Sequence, residues 1–238
     1  MTRSGCRSVN YASGRSFRVD SASRTALMTG FSQVTGYMNE QVANELGTND
    51  FEVSYHMGAR IEHQVWQGRV YSYAELRIIC GLGTVTGLCG ANCYHWYEPF
   101  LEGVSVRNYT DEELEHMMTE ENCPRRYAGK EYTTYTALQK QRQMELLMRK
   151  QRQDIALLKE GEANELSILA AQTRYRFTMQ EYVKFSQSMK LPQQRERIYM
   201  DGLGKVGKSG PIPKPKRKEA NTGVFKDLKI PMQSRYIE

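Results

Sequence analysis

The sequence predicts an α+β fold: a small mixed or antiparallel sheet with an N-terminal helix, then a long antiparallel helical hairpin and a disordered basic tail. Three observations carry this. Apolar residues recur at helical steps over 19–46, short alternating runs separated by glycine occupy much of 51–132, and two charged stretches beyond 133 carry apolar seams interrupted at Gly161. The corresponding division is a flexible lead-in over 1–18, an α+β core domain over 19–132, a helical hairpin over 133–191 and a basic extended tail over 192–238.

Residues 1–18 are polar, basic and rich in Ser and Gly, with no periodic apolar pattern. Ala22, Ala26, Leu27, Phe31, Val34, Met38, Val42 and Leu46 then follow the three- and four-residue steps of an amphipathic helix. Gly47 is placed to end it in the left-handed conformation, while Gly30 and Gly36 each cost ~1 kcal/mol against Ala inside such a helix. Residues 51–56 and 69–73 have strand character. Between them Gly58 allows a turn, and a short helix over 59–67 would put Arg60, His63 and Gln67 on one face, with Gly68 as its C-terminal cap.

The four glycines of 81–90 predict a tight irregular loop. Thr110-Asp-Glu-Glu113 fits a capping box in front of a helix running through Met118, and 126–132 reads as a β-hairpin with Ala128-Gly129 at its tip. Farther on, Ala137, Gln141, Met144, Met148, Gln151, Ile155 and Leu158 alternate steps of four and three, the seam of a coiled coil with two polar interruptions. Ile168, Tyr175, Met179, Tyr182, Phe185 and Met189 form a rougher second stripe. Two helices of ~25 residues would each be ~38 Å long and antiparallel about Gly161. Each buries one seam only, so the hairpin must lean on the core domain or on another subunit.

The chain has 33 basic and 27 acidic residues, and their imbalance is confined to one end. Residues 204–238 hold nine basic and three acidic side chains, a net +6, which leaves 24 of each sign in the rest. A neutral body argues against a basic nucleic-acid-binding fold, whereas the tail could touch phosphates through Lys205, Lys208, Lys214, Lys216, Arg217 and Lys218. Five cysteines without a paired framework suit a reducing compartment. The first twenty residues lack the apolar run of a secretory signal, and the most apolar window, 76–91, is shorter than the ~20 residues needed to cross a bilayer. The expectation is a soluble cytosolic product without membrane partners.

Reactive side chains concentrate in 56–103, which holds three of the four histidines, three of the five cysteines and both tryptophans. Cys89, Cys93 and His95, closed by His63 or His56, offer a zinc site of the Cys2His2 kind, although the second ligand pair has to come from a distant histidine. The alternative is that Cys93 packs as a small apolar group and the histidines bond to nearby backbone. A metal-independent nuclease or transferase could instead use His63, Arg60 and His95 as base, clamp and acid, and Cys93 or Cys89 could act as a nucleophile with a histidine base. No glycine-rich phosphate loop or acidic triplet accompanies them. Trp66 and Trp96 are both expected in the core, where an indole contributes several kcal/mol of burial.

HMGARIEHQVWQG over 56–68 and GLCGANCYHWYEPFLEG over 87–103 resemble the two motifs of the phage minor capsid protein 2 family, related to the Mu F-type head morphogenesis proteins. YTDEEL over 109–114 and YTALQKQR over 135–142 are similar to further blocks, and the likeness is collinear from about Arg15 to Leu191. The resemblance implies a structural, non-enzymatic role in head morphogenesis: a virion component, in the host cytoplasm during assembly, associated with portal or capsid proteins and near packaged DNA. It also implies a family site of unknown chemistry at His56, Arg60, His63, Gln67, Gly68, Asn92, Cys93 and His95, with no required cofactor. Position 94 is Tyr where the family block commonly has Arg. Family members are usually longer, with a helical N-terminal half, so this chain is expected to be a fragment or a split product.

Overall fold

A computed structural model describes residues 8–204; the basic arm over 205–218 and its six candidate DNA contacts lie outside the described residues. Residues expected as a flexible lead-in pair instead, β1 (Ser8–Asn10) with β2 (Ser16–Arg18), antiparallel. The turn is closed by the Tyr11 N–H on the Arg15 carbonyl, and Tyr11 meets Phe17 edge to face at 5.5 Å. Three-residue strands are too short to leave a period in the sequence.

The next element, α1 (Val19–Leu46), ends where the sequence says, with Gly47 at φ 71° donating its N–H to the carbonyls of Ala43 and Asn44. Its apolar stripe does not enter the core. Leu27, Phe31, Val34 and Met38 are 59–66% exposed, and α1 buries only Gly36 and Ala43. The missing side chain at Gly36 explains this: a Cβ there would stand 2.6 Å from the Tyr97 Oη. Tyr97 donates that hydroxyl to Glu40, and Asn39 Nδ2 donates to the Tyr97 carbonyl, both at 2.6 Å. The helix therefore docks through small and polar residues and turns its stripe outward.

A three-stranded antiparallel sheet follows, with β3 (Asp50–Val53) at the centre, flanked by β4 (Val70–Ser72) and β5 (Tyr97–Phe100). The strand character expected up to residue 56 stops at Val53. Sequence reasoning did not assign β5, whose Pro99 lacks a ladder donor and is tolerated because this strand is an edge. Between these strands lie α2 (Ile61–Gln64) and α3 (Tyr73–Ile78). Ser72 and Glu75 form the capping box of α3, an S-x-x-E signal where the reading of the sequence extended the strand. Phe51, Val53, Trp66, Leu76, Leu88, Cys93 and Tyr97 belong to one buried cluster.

Four residues of α4 (Asp111–Asn122) extend the expected helix, behind the predicted Thr110–Glu113 box. The predicted hairpin is β6 (Arg125–Tyr127) with β7 (Lys130–Tyr132), Ala128 and Gly129 both having positive φ. It packs on the helices beyond it: Tyr127 and Tyr132 meet Phe185 edge to face at 5.3 and 5.2 Å. Those helices, α5 (Thr134–Glu160) and α6 (Glu165–Ser188), form the antiparallel hairpin and bury Met144, Met148, Ile155, Tyr175, Tyr182 and Phe185 between them. Gln141, a polar interruption of the seam, is satisfied there by Ser186 Oγ at 3.0 Å and the Pro192 carbonyl at 2.9 Å.

The start of the expected extended tail also folds. Residues 192–204 return across the hairpin with α7 (Glu196–Tyr199), whose Ile198 is fully buried. Arg152, 1% exposed, binds both oxygens of Asp201 at 2.8 Å and the Gly204 carbonyl at 2.9 Å. Arg149 meets Asp20 at 2.6 Å and Arg142 meets Tyr94 at 3.2 Å, so α5 is tied to α1 and to the 81–96 segment through paired polar groups. No helix among the described residues is long and apolar enough to cross a membrane.

Candidate functional site

The two histidine- and cysteine-bearing blocks fold against each other beside the sheet. The first is short: after β3 the chain turns at Gly58 and enters α2 with Arg60 as its N-cap. Gly68, at φ 73°, closes that turn where a Cβ would stand 2.5 Å from Leu114 Cδ2. The second block is a compact loop leading into β5. Leu88 N–H bonds the Cys80 carbonyl, Ala91 N–H that of Val85, and Cys93 N–H that of Gly90. At Gly87 a Cβ would lie 2.0 Å from the Gly81 carbonyl oxygen, so backbone packs directly on backbone there. Cys89 and Asn92 hold left-handed conformations, φ 56° and 57°, which cost a non-glycine residue energy and are seen where surroundings over-determine them.

His63, Cys93 and His95 meet at the centre, 3%, 7% and 3% exposed. Nδ1 of His63 is 3.4 Å from Nδ1 of His95, and Cys93 Sγ is 3.8 and 3.4 Å from the same two nitrogens. The ring orientations follow from what holds the other nitrogens. His63 Nε2 is 2.8 Å from the Thr86 carbonyl, which only accepts, so Nε2 carries the proton. His95 Nε2 is 2.9 Å from Gln67 Oε1, and that oxygen also accepts the His56 backbone N–H at 3.0 Å, which fixes the amide's orientation. Both imidazoles therefore donate from Nε2 and present unprotonated Nδ1 atoms to each other. One thiol proton faces two lone pairs.

Burial opposes the alternative of protonating an imidazole. It holds His63 and His56 below the ordinary histidine range and, with the cost of charging more than one ring of the cluster and the nearby Arg60 charge, takes His95 to about 3. The thiols are pushed up by burial, Cys89 to about 12. Trp66 walls the cluster, its ring 4.5 Å from His63 and 4.8 Å from His95. Trp96 was expected in the core and is 47% exposed, packed edge-on against His56 at 5.1 Å; it directly precedes β5, between the buried His95 and Tyr97.

Of the candidate site residues, His56, His63, Gln67, Cys93 and His95 are brought together, with Arg60 near enough for its charge to act on His63, Cys93 and His95. His56 Nε2, Arg60 Nη2 and Gln67 Nε2 are buried with no hydrogen-bond partner among the described residues. Asn92 lies outside: its Oδ1 accepts from Thr25 Oγ1 and ties the loop to α1. Among the described residues the group with metal-ligand spacing is His63, Cys93 and His95; the fourth expected ligand, Cys89, instead turns its Sγ to the His95 carbonyl at 3.7 Å. Burial alone would raise the Tyr94 hydroxyl, but Arg142, Arg197 and Arg24 around it overcome this and hold it below the usual range.

A nuclease or transferase using His63, Arg60 and His95 needs those groups converging on open space. The two histidines are instead shut in. A cleft of about 300 Å³ lies nearby between α1 and the 82–89 segment, lined by Gln33, Tyr37, Arg77, Thr84 and Cys89 among others, and by none of those three. Sequence reasoning missed Thr86, whose carbonyl orients His63, and Glu121, whose carboxylate accepts from the Tyr55 hydroxyl and the Gly58 N–H and so fixes the approach to α2. No sequence signal marks a backbone carbonyl for such a role.

Residues 1–184 match a family model described as phage minor capsid protein 2. No curated protein and no solved structure matches the chain.

Proposed function

This chain belongs to the phage minor capsid protein 2 family, and from that premise we propose that it is a non-enzymatic building block of the head that docks on a portal or capsid subunit through the outer face of α1. Family membership makes it a phage minor capsid protein, a component that works beside other virion proteins. The observation carrying the finer reading is the exposed stripe of α1. Leu27, Phe31, Val34, Met38, Val42 and Leu46 are each 44–66% exposed along one helix, with Tyr37 beside them at 62%. A 28-residue helix is about 42 Å long, and a row of large apolar side chains left open along it is the kind of surface that marks a protein interaction site. The hairpin, by contrast, fills its seam with its own residues.

In this reading the closed cluster keeps the loops rigid so that α1 and the helical hairpin hold a fixed relation, and no substrate is turned over. The test is incorporation into heads. Phe31→Ser combined with Met38→Ser is expected to lower the amount of this protein in purified heads at least about tenfold while leaving its thermal midpoint within the small range of surface substitutions. Unchanged incorporation would contradict docking through α1; a purified chain whose association is confined to copies of itself would contradict the portal or capsid partner.

The basic tail supports a second contact, with packaged DNA. Six Lys and Arg over 205–218 predict binding whose logarithm falls with the logarithm of salt concentration with a slope of about −5, lost when 205–218 is deleted. Salt-independent binding, or no effect of the deletion, removes it.

A further inference from the structure

We propose that Nδ1 of His63, Nδ1 of His95 and Sγ of Cys93 bind one tetrahedral transition-metal ion, zinc foremost, which staples the 81–95 loop to α2. Bond lengths of 2.0–2.1 Å to nitrogen and 2.3 Å to sulfur place tetrahedral ligands about 3.4 Å apart for N···N and about 3.6 Å for S···N. The three edges here are 3.4, 3.4 and 3.8 Å. The spacing is that of ligands around a common centre.

The surrounding groups are those a metal histidine needs. Each imidazole donates its remote N–H to a fixed acceptor, the Thr86 carbonyl for His63 and the Gln67 amide oxygen for His95, which holds the ring and leaves Nδ1 free to bind. Without a cation, two lone pairs face each other and the thiol can satisfy one of them. Binding releases the Cys93 thiol proton to solvent and fills both Nδ1 lone pairs, with no change of oxidation state.

The thiolate offsets one of the ion's two charges, and Arg60 adds another positive charge nearby. The fourth position therefore suits water, hydroxide or a small anion. His56 Nε2 and Arg60 Nη2, both buried and without partners among the described residues, are groups that such a ligand would satisfy. Cys89, four residues before Cys93, belongs to the packing of the loop and not to the ligand set.

The experiment is metal analysis of the full chain, independent of the docking proposal because it is read on isolated protein and not on heads. Purified protein exchanged against Zn²⁺ and freed of loose metal is expected to retain about one equivalent. Reconstitution with Co²⁺ should give a thiolate-to-cobalt charge-transfer band, abolished in Cys93→Ser and retained in Cys89→Ser. Gln67→Ala, which removes the acceptor behind His95, should weaken metal affinity by about 10- to 100-fold. Should Cys93→Ser fail to fold, the wild-type chain still decides: folded by circular dichroism and retaining under about a tenth of an equivalent after Zn²⁺ or Co²⁺ titration, it has no such site. Loss of metal in a folded Cys89→Ser with retention in Cys93→Ser would overturn the ligand assignment.

Discussion

Two carbonyl oxygens, of Thr86 and of the Gln67 amide, decide which nitrogens His63 and His95 turn toward each other. This is chemistry at the scale of single atoms, and it was only half legible in the sequence. Residue types and spacing single out His63, Cys93 and His95, because an unusual side-chain density in 48 residues is visible without a fold. The exclusion of Cys89 was not visible, since it depends on how the folded loop turns its Sγ to the His95 carbonyl. Gly68 was expected to cap a helix over 59–67, but α2 ends at Gln64 with Val65 as its C-cap, and Gly68, at φ 73° and packed on Leu114, closes the turn that follows. Gly68→Ala is accordingly expected to cost about 1–2 kcal/mol in urea unfolding, from backbone strain and crowding together. A change within experimental error would mean that the α2 turn relaxes freely.

The long elements announce themselves and the short ones do not. α1 and the two helices of the hairpin have enough turns for their periodicity to define them, and their caps at Gly47 and Thr133 fall within a residue of the expected boundaries. β1, β2 and β5 are three or four residues long, and pairing partners rather than local pattern make them strands. The Ser72–Glu75 capping box that marks α3 stands in the sequence, yet 69–73 read as strand; Ser72→Ala should cost about 1 kcal/mol in thermal or denaturant unfolding.

The fold-back of 192–204 depends on Arg152 and Asp201, 49 residues apart, which no local pattern connects. Asp201→Ala leaves a buried guanidinium unpaired and is expected to cost about 3–5 kcal/mol. The same pair sets an acid limit. Burial alone would raise the Asp201 carboxyl, but the Arg152 guanidinium and the Leu203 N–H overcome this and hold it below its ordinary value of 3.8. Between the folded and unfolded values the unfolded chain binds more protons, so this contribution is complete above about pH 4 and is lost as pH falls through the lower, folded value. Urea titrations from pH 6 to pH 2 should show the Asp201→Ala penalty shrinking with acid; a penalty constant across that range would place the effect in packing.

Over the whole molecule, two separate apolar clusters, one around the sheet and one inside the hairpin, are joined by polar ties: Arg149 to Asp20, Arg18 to Gln153 and Arg142 to Tyr94. The α+β class follows from the order of periods along the chain and is what the fold shows. The direction in which the α1 stripe points does not follow, because periodicity says which residues share a face and nothing about what that face meets. On the proposed reading, a stripe turned outward on a member of this family gives the chain a surface to offer, and the closed cluster gives it rigidity.

That rigidity is the claim on which the account stands, and hydrogen exchange by mass spectrometry reads it directly. The amides of Leu88, Ala91 and Cys93, bonded within the loop, should exchange slowly in the native chain, and metal chelation should speed them at least about tenfold while leaving β3 and the middle of α5 unchanged. Exchange of these amides at unstructured-chain rates, with β3 still protected, would contradict a rigid histidine-cysteine knot.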